Sequence, residues 1–266
     1  MVIDAVTEKV GANLRAKLDA KAAQGNAFAP IARDALDLWT RQPPGARRAR
    51  FTRDEIARAA LRIADDEGFD ALSMRRLALA LDAGTMTLYH YVRTKDELLA
   101  LVSDAVMGEL ILDDAELQGG WRRAMSNLAR RSRDTFARHP WIFDVRDDPA
   151  IGPNSVRHFD QSIQALAELE IPLRDKLDIL SAVDEMVFGY ALQMRNNYEG
   201  SIEDDAQMAE YVVALASTGE YAHLDKLLAE HGSGVWKLVA ETFRDPDRFE
   251  RTLRRLLDGI EHDLAR

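Results

Sequence analysis

The sequence predicts an all-α protein in which a compact three-helix unit precedes a larger helical body. Three observations carry this reading. Apolar residues recur at three- and four-residue spacing along most of the 266 residues. Two capping boxes, Thr52 with Glu55 and Thr94 with Glu97, mark helix starts. No stretch shows the alternating pattern of a strand over a useful length.

In order along the chain, Val6, Val10, Leu14 and Leu18 repeat every four residues and predict a helix over 1–22. Gly25-Asn26 interrupts it. Pro30, tolerated in a first helical turn, opens a second helix that runs to Thr40. Pro43-Pro44-Gly45 ends that helix. Residues 1–46 read as an extension, and its apolar stripe, together with Trp39, calls for packing on the protein or a partner copy.

From Thr52 the helix starts become sharper. The first helix carries Ile56, Ala60, Ile63 and Ala64 inward and stops at Gly68, expected as a left-handed cap. Ser73 caps a second helix through Leu77 and Leu81. Asp82-Ala83-Gly84 makes a tight turn, and a third short helix runs from Thr85 to near Val92. A fourth starts after Thr94. Further helices are predicted near 121–138, 154–169, 174–198, 203–217, 220–231, 234–243 and 246–264. The last is the most regular, with Phe249, Leu253, Leu256, Leu257, Ile260 and Leu264 on one side.

Composition narrows the function. There is no cysteine, which excludes disulfides, zinc fingers and a thiol nucleophile. No apolar run reaches the roughly 20 residues that span a bilayer. Residues 1–8 lack a basic stretch leading into an apolar one, so the expectation is a cytoplasmic protein with no membrane partner. The formal charge of −10 argues against nucleic acid, but its distribution does not. Segments 1–46, 47–98 and 99–266 carry +1, +1 and −12. Arg47, Arg48, Arg50, Arg53, Arg58 and Arg62 face only Asp54 and Glu55 within their stretch. His223, Glu230 and His231 do not share one helical face, so no metal and no cofactor are expected. Asp184 and Glu185 point in different directions, and no enzyme site is read from the chain.

Helices of about 15, 9 and 7 residues with a three-residue turn have helix-turn-helix proportions. The third, Thr85-Met86-Thr87-Leu88-Tyr89-His90-Tyr91, is rich in hydroxyls and aromatic tips. Such side chains suit a helix in a major groove, where methyls meet thymine and polar tips bond base edges or phosphates. Tyr91 is read as core rather than contact. Arg47-Arg48-Ala49-Arg50 is either a solvated linker or an arm that follows the DNA backbone.

The runs Phe69-Asp70-Ala71-Leu72-Ser73-Met74-Arg75-Arg76-Leu77-Ala78, Thr87-Leu88-Tyr89-His90-Tyr91-Val92 and Lys95-Asp96-Glu97-Leu98-Leu99 closely resemble the DNA-binding domain of the TetR family of repressors. Less sharply, Trp121 to Trp141 and Ala182 to Leu192 resemble a tetracycline-repressor-type C-terminal domain. The extension and basic linker over 1–46 lie outside the resemblance, which implies a helix-turn-helix DNA-binding domain over 47–96 and a ligand-binding and dimerisation domain over 97–266. It implies phosphate contacts for Tyr89 and Lys95, base or backbone contacts for Thr85, Thr87 and His90, and a guanine contact for Arg75, whose fork suits O6 and N7. Arg48, Arg50, Thr52 and Arg53 are candidates on the arm side. Asp82 stands where the family turn usually has Gly, and Asp tolerates left-handed dihedrals.

The implied partners are a palindromic double-stranded DNA operator, a second copy of the chain, and a lipophilic, partly polar small-molecule effector. The helices over 174–198 and 246–264 are expected to form the homodimer interface. Candidate effector contacts are Leu128, Ser132, Phe136, Trp141, Phe143, Arg146, Phe159 and Gln161. His139-Pro140-Trp141 either lines that pocket or ends a helix, since proline disfavours helix at the residue before it. The expected mechanism is repression relieved by the effector; the alternative is a ligand-independent DNA binder or activator with the same head. Deleting residues 1–40 is expected to lower both the melting temperature and DNA affinity. Thermal melts and duplex titrations of the truncated chain check this, and unchanged values would remove any packing role for the extension.

Overall fold

Helix α1 (Arg53–Glu67) begins where the sequence marks it. The Thr52 hydroxyl accepts from the Glu55 N–H at 3.1 Å, and the Glu55 carboxylate accepts from the Thr52 N–H at 2.7 Å. Its inner face buries Ile56, Ala57, Ala59, Ala60, Leu61, Ile63 and Ala64. The small alanines let α4 (Lys95–Glu109) approach α1 closely, and the two pack together. Burying each Ile or Leu contributes about 1.5–3 kcal/mol. Between them lie α2 (Met74–Ala80), with Ser73 accepting from Arg76 N–H at 3.2 Å, and α3 (Thr85–Leu88). Gly68 does take positive φ (88°), but its ψ of 156° is outside the left-handed helical well. It leads into a 3-10 turn over Phe69–Ala71 instead.

The computed structural model describes residues 38–41, 50–145, 151–197, 210–216, 218, 220–232 and 234–266. Among these, all regular structure is helical. The chain divides into two compact units, Met1–Ile171 and Pro172–Arg266. The first continues with α5 (Asp114–Leu117), α6 (Trp121–Arg138), a 3-10 turn over Pro140–Asp144, and α7 (Pro153–Ala165). The predicted helix at 154–169 is thus shorter at its C-terminal end. The second unit holds α8 (Leu173–Asn197), a helical stretch at 210–216, α9 (Ala222–His231), α10 (Gly234–Arg244) and α11 (Arg248–Leu264). Within it, Ile179, Leu180, Val183, Val187 and Ala191 of α8 and Phe249, Leu253 and Leu257 of α11 are buried, and the two helices pack together. Tyr190 meets Phe249 edge-on at 5.0 Å.

Helix α4 is apolar on more than one side, with Leu98, Leu101, Val102 and Val106 all buried. It packs against α7 as well as α1. Its buried Asp104 supplies the cap that α7 lacks, accepting from Asn154 N–H (3.2 Å), Ser155 N–H (3.0 Å) and the Ser155 hydroxyl (3.1 Å). A carboxylate at a helix N-terminus satisfies orphan donors and opposes the helix dipole. Gly152 is required there, since a Cβ would stand 2.3 Å from Asp104 Cγ and 2.7 Å from the Trp39 ring.

Most of the extension, with both its predicted helices up to residue 37, lies outside the described residues. Its last piece is part of the fold. Residues 38–40 are helical, and Leu38 is fully buried in the same core as Ile56 and Leu88. Arg41 donates to both oxygens of Glu97 (3.0 and 2.8 Å) and to the Tyr91 carbonyl (2.8 Å). This alters the second predicted capping box. Thr94 does accept from Glu97 N–H at 3.0 Å, but the Glu97 carboxylate turns to Arg41 and to Arg93 N–H at 2.7 Å. Burial alone would push Glu97 up; the bonds from Arg41 and the Arg93 N–H, and both positive charges, hold it below the usual carboxylate value. The pair therefore stabilises the fold at neutral pH, and that contribution is lost as acid protonates Glu97. Arg41→Ala is expected to cost about 3 kcal/mol, because it strands a buried carboxylate. Denaturant titration at neutral pH checks this, and the difference from the parent chain should shrink below the usual carboxylate range.

Candidate nucleic-acid interface

The turn between α2 and α3 is built without a glycine at its tightest point. Asp82 takes φ of 48° there, and Ala83 N–H closes the turn on the Ala78 carbonyl at 2.9 Å. After Leu88 the chain tightens: Tyr91 and Val92 N–H both bond the Leu88 carbonyl, at 2.8 and 2.9 Å. This short coil presents two faces. Leu88, Tyr91 and Val92 are buried against α1 and α4. Met86, Tyr89 and His90 point outward, with Met86 76% exposed. Thr85 and Thr87 are half-buried at the edge.

Basic side chains flank that outward face. Lys95 is exposed at the start of α4, and Arg75 is exposed near the start of α2. Neighbouring Arg76 is committed to Glu67, with its Nε 2.9 and 3.0 Å from the two carboxylate oxygens. The bonds from Arg76 hold the Glu67 carboxyl below its ordinary value. The Tyr91 hydroxyl, at the inner end of the third helix, accepts from Arg50 N–H (3.0 Å) and Phe51 N–H (3.3 Å). The Arg50 guanidinium donates to the Asp82 carbonyl at 2.6 Å and lies over the Phe51 ring. The chain that enters α1 is therefore tied to the turn and to the far end of the third helix.

The arm-side candidates separate. Arg50 is partly exposed beside the turn. Thr52 uses its hydroxyl on the α1 cap, accepting from Glu55 N–H and donating to the Glu55 carboxylate at 3.0 Å. Arg53 is half-buried and donates to the Arg41 carbonyl at 2.8 Å; burial and the Arg41 charge lower its pKa. Arg48 lies outside the described residues. Sequence reasoning passed over Met86, although the inward positions 88, 91 and 92 imply that 86, 89 and 90 face out. Leu79, 70% exposed on α2, is a second apolar side chain left open on the head.

The effector candidates are also sorted. Leu128, Ser132 and Phe136 are buried on one face of α6, and Phe136 meets Phe143 edge-on at 5.7 Å. Gln161 is buried with its amide fully engaged, bonding Leu112 N–H at 2.9 Å and the Leu112 carbonyl at 2.8 Å. Trp141 is turned to Asp65 of α1. Phe159 is half-exposed, and Arg146 lies outside the described residues. His158, one turn before Gln161, has a buried Nδ1 with no hydrogen-bond partner, and burial lowers its pKa. It was not singled out from the sequence, where a lone histidine on an amphipathic helix gives no signal. Among the described residues no three His, Asp or Glu side chains cluster as metal ligands, and no helix is long and apolar enough to cross a membrane.

Known proteins match both parts of this arrangement. Residues 56–102 match the family described as bacterial regulatory proteins, tetR family, and residues 114–264 match the tetracyclin repressor-like C-terminal domain. The HTH-type transcriptional repressor DrrR1 of Streptomyces coeruleorubidus is 32% identical over 237 residues, covering 87% of this chain and 86% of its own. Among solved structures, apo ActR of Streptomyces coelicolor superposes with a TM-score of 0.64 at 27% identity, covering 82% of this chain and 98% of ActR. ActR in complex with actinorhodin gives 0.63 at 28% identity, covering 80% and 96%. The chain belongs to the tetR family of bacterial regulatory proteins: it is a helix-turn-helix transcriptional regulator with a tetracyclin repressor-like C-terminal domain.

Proposed function

We propose that the chain is a cytoplasmic repressor that binds a palindromic operator as a homodimer and leaves it when a lipophilic, partly polar small molecule binds the C-terminal domain. It carries no catalytic step. The DNA-binding domain is 47–96, and 97–266 serves ligand binding and dimerisation. The observation that carries the reading is the outward face of the third helix. Met86, Tyr89 and His90 are exposed on a short coil whose other side is locked in the core. Rigid support of exposed side chains is what reading base edges needs.

In this reading Tyr89 and Lys95 bond phosphates, Thr85, Thr87 and His90 meet bases or nearby backbone, and Met86 supplies an apolar contact to thymine methyl groups. Arg75 reads guanine, and Arg48 and Arg50 follow the flanking backbone. Two copies meet through α8 and α11. On α8, Leu177, Phe188 and Leu192 are exposed although Val183 and Val187 are buried, which leaves apolar surface for a second copy. The effector sits beside Leu128, Ser132, Phe136 and Phe143, with the free His158 nitrogen as a polar contact. The complex of ActR with actinorhodin supports a small-molecule effector. Binding releases DNA to the extent that the effector prefers the state that cannot span the operator.

Selection from a randomised duplex pool at near-physiological salt tests the operator. Enrichment of a palindrome is expected, and a well-folded protein that enriches nothing would overturn sequence-specific binding. Lys95→Ala is expected to weaken binding to all duplexes alike and to lower the salt slope by about one. Titrations across salt concentrations check this, and a loss confined to one base position would assign Lys95 to base reading instead.

A further inference from the structure

The third helix is too short to hold its own shape. Only Thr85–Leu88 is α-helical, far below the length at which a helix is stable by itself. The turn at Asp82 fixes its start, where Ala83 N–H bonds the Ala78 carbonyl. Its last turn holds no basic side chain to meet the carbonyls that a helix leaves without partners at its end.

Residues before α1 supply what the helix lacks, and they converge on Tyr91. Its carbonyl accepts from Arg41 Nη2 at 2.8 Å, and its hydroxyl accepts from the Arg50 and Phe51 N–H groups at 3.0 and 3.3 Å. The same Nη2 lies 2.8 Å from Glu97 Oε2, while Arg41 Nη1 donates to Glu97 Oε1 at 3.0 Å. One guanidinium therefore joins the end of the third helix to the first turn of α4, where Lys95 is exposed. Its positive charge also meets the negative end of the third helix's dipole. Arg41 is itself fixed. Its side chain is 15% exposed, its carbonyl accepts from Arg53 at 2.8 Å, and Leu38 is fully buried in the cluster that holds Leu88, Tyr91, Val92 and Leu98. Arg41, Arg50 and Phe51 all precede residues 56–102, the segment matched to the family.

We propose that Arg41, at the end of the N-terminal extension, is a positioning residue for base reading: it caps the third helix from outside the helix-turn-helix and fixes Tyr89 and His90 before DNA arrives. It touches no DNA. Its consequence for binding rests on the operator reading above. Base edges are read only from a fixed geometry, whereas phosphates are met by mobile cations as well. A third helix that is loose at its end must be ordered on the operator, at a cost in affinity. Unrelated duplexes, held through phosphates, make no such demand. Arg41 therefore sets the ratio of operator to unrelated binding rather than DNA binding as such.

The test uses the full chain with Arg41→Met and Glu97→Gln together. This pair removes the guanidinium without stranding a buried carboxylate, and the amide oxygen can still accept from Arg93 N–H, so the fold is kept. Hydrogen exchange without DNA reads the anchoring. Peptides covering 85–93 are expected to exchange about tenfold faster than in the parent, while those covering 56–66 in α1 stay unchanged. Unchanged exchange over 85–93 would overturn the proposal. Titrations with the selected duplex and a scrambled one read the consequence. Binding to the selected duplex should weaken about tenfold, with the scrambled-duplex affinity and its salt slope unchanged. An equal loss on both duplexes would make Arg41 merely structural, and a slope lower by about one would make it a phosphate contact. Either result overturns the positioning role. A parent chain that enriches no sequence from the random pool would strike the operator reading instead, and exchange over 85–93 would still decide whether Arg41 holds the third helix.

Discussion

A carboxylate taken out of water must be paired, and α4 carries two that are buried, Glu97 at its start and Asp104 in its middle, followed by the partly exposed Glu109 at its end. Each is satisfied by a different part of the chain. Glu97 holds Arg41 of the extension, Asp104 caps α7, and Glu109 meets Arg138 and His139 beyond α6. Around these polar anchors the same helix buries leucines and valines against α1 and α7. The helix that joins head to body is therefore the one that every neighbouring element consults for its position.

The outward face of the third helix is exposed, and its core side is held through the buried Leu88, Tyr91 and Val92. Tyr91 does this with both ends of its side chain. Its ring is buried edge-on near Phe51, and its hydroxyl receives the Arg50 and Phe51 N–H groups. The entry to α1, the turn at Asp82 and the end of the third helix become one unit. The same first unit is joined to the end of α6 by the contacts of His139 with Asp65 and Glu109.

The charge pattern has a related logic. Residues 99–266 carry the excess negative charge, while the head is nearly neutral overall. Within the head the cations are not equivalent. Arg76 is consumed by Glu67, Arg53 by the Arg41 carbonyl and Arg41 by Glu97, whereas Arg58, Arg62, Arg75, Arg93 and Lys95 are exposed. Counting basic residues in the sequence overstates the positive face, because ion pairs across helices cannot be read from linear order.

Local chemistry by itself determined the helix starts and the head. Thr52, Ser73 and Thr94 cap where their side chains dictate, and Asp82 accepts the left-handed turn, because these choices depend on residues within a few positions. The apolar period likewise assigned the buried faces of α1, α8 and α11. Only the tertiary structure decided what Glu97 does, since a carboxylate suited to a local cap found a stronger partner in Arg41, 56 residues away. The same holds for Gln161, taken for an effector contact but engaged by the Leu112 backbone, and for His139 and Trp141, which reach α1 across more than 70 residues. Long-range pairing of buried polar groups is set by which helices meet, and that follows from packing the whole core at once rather than from any single segment.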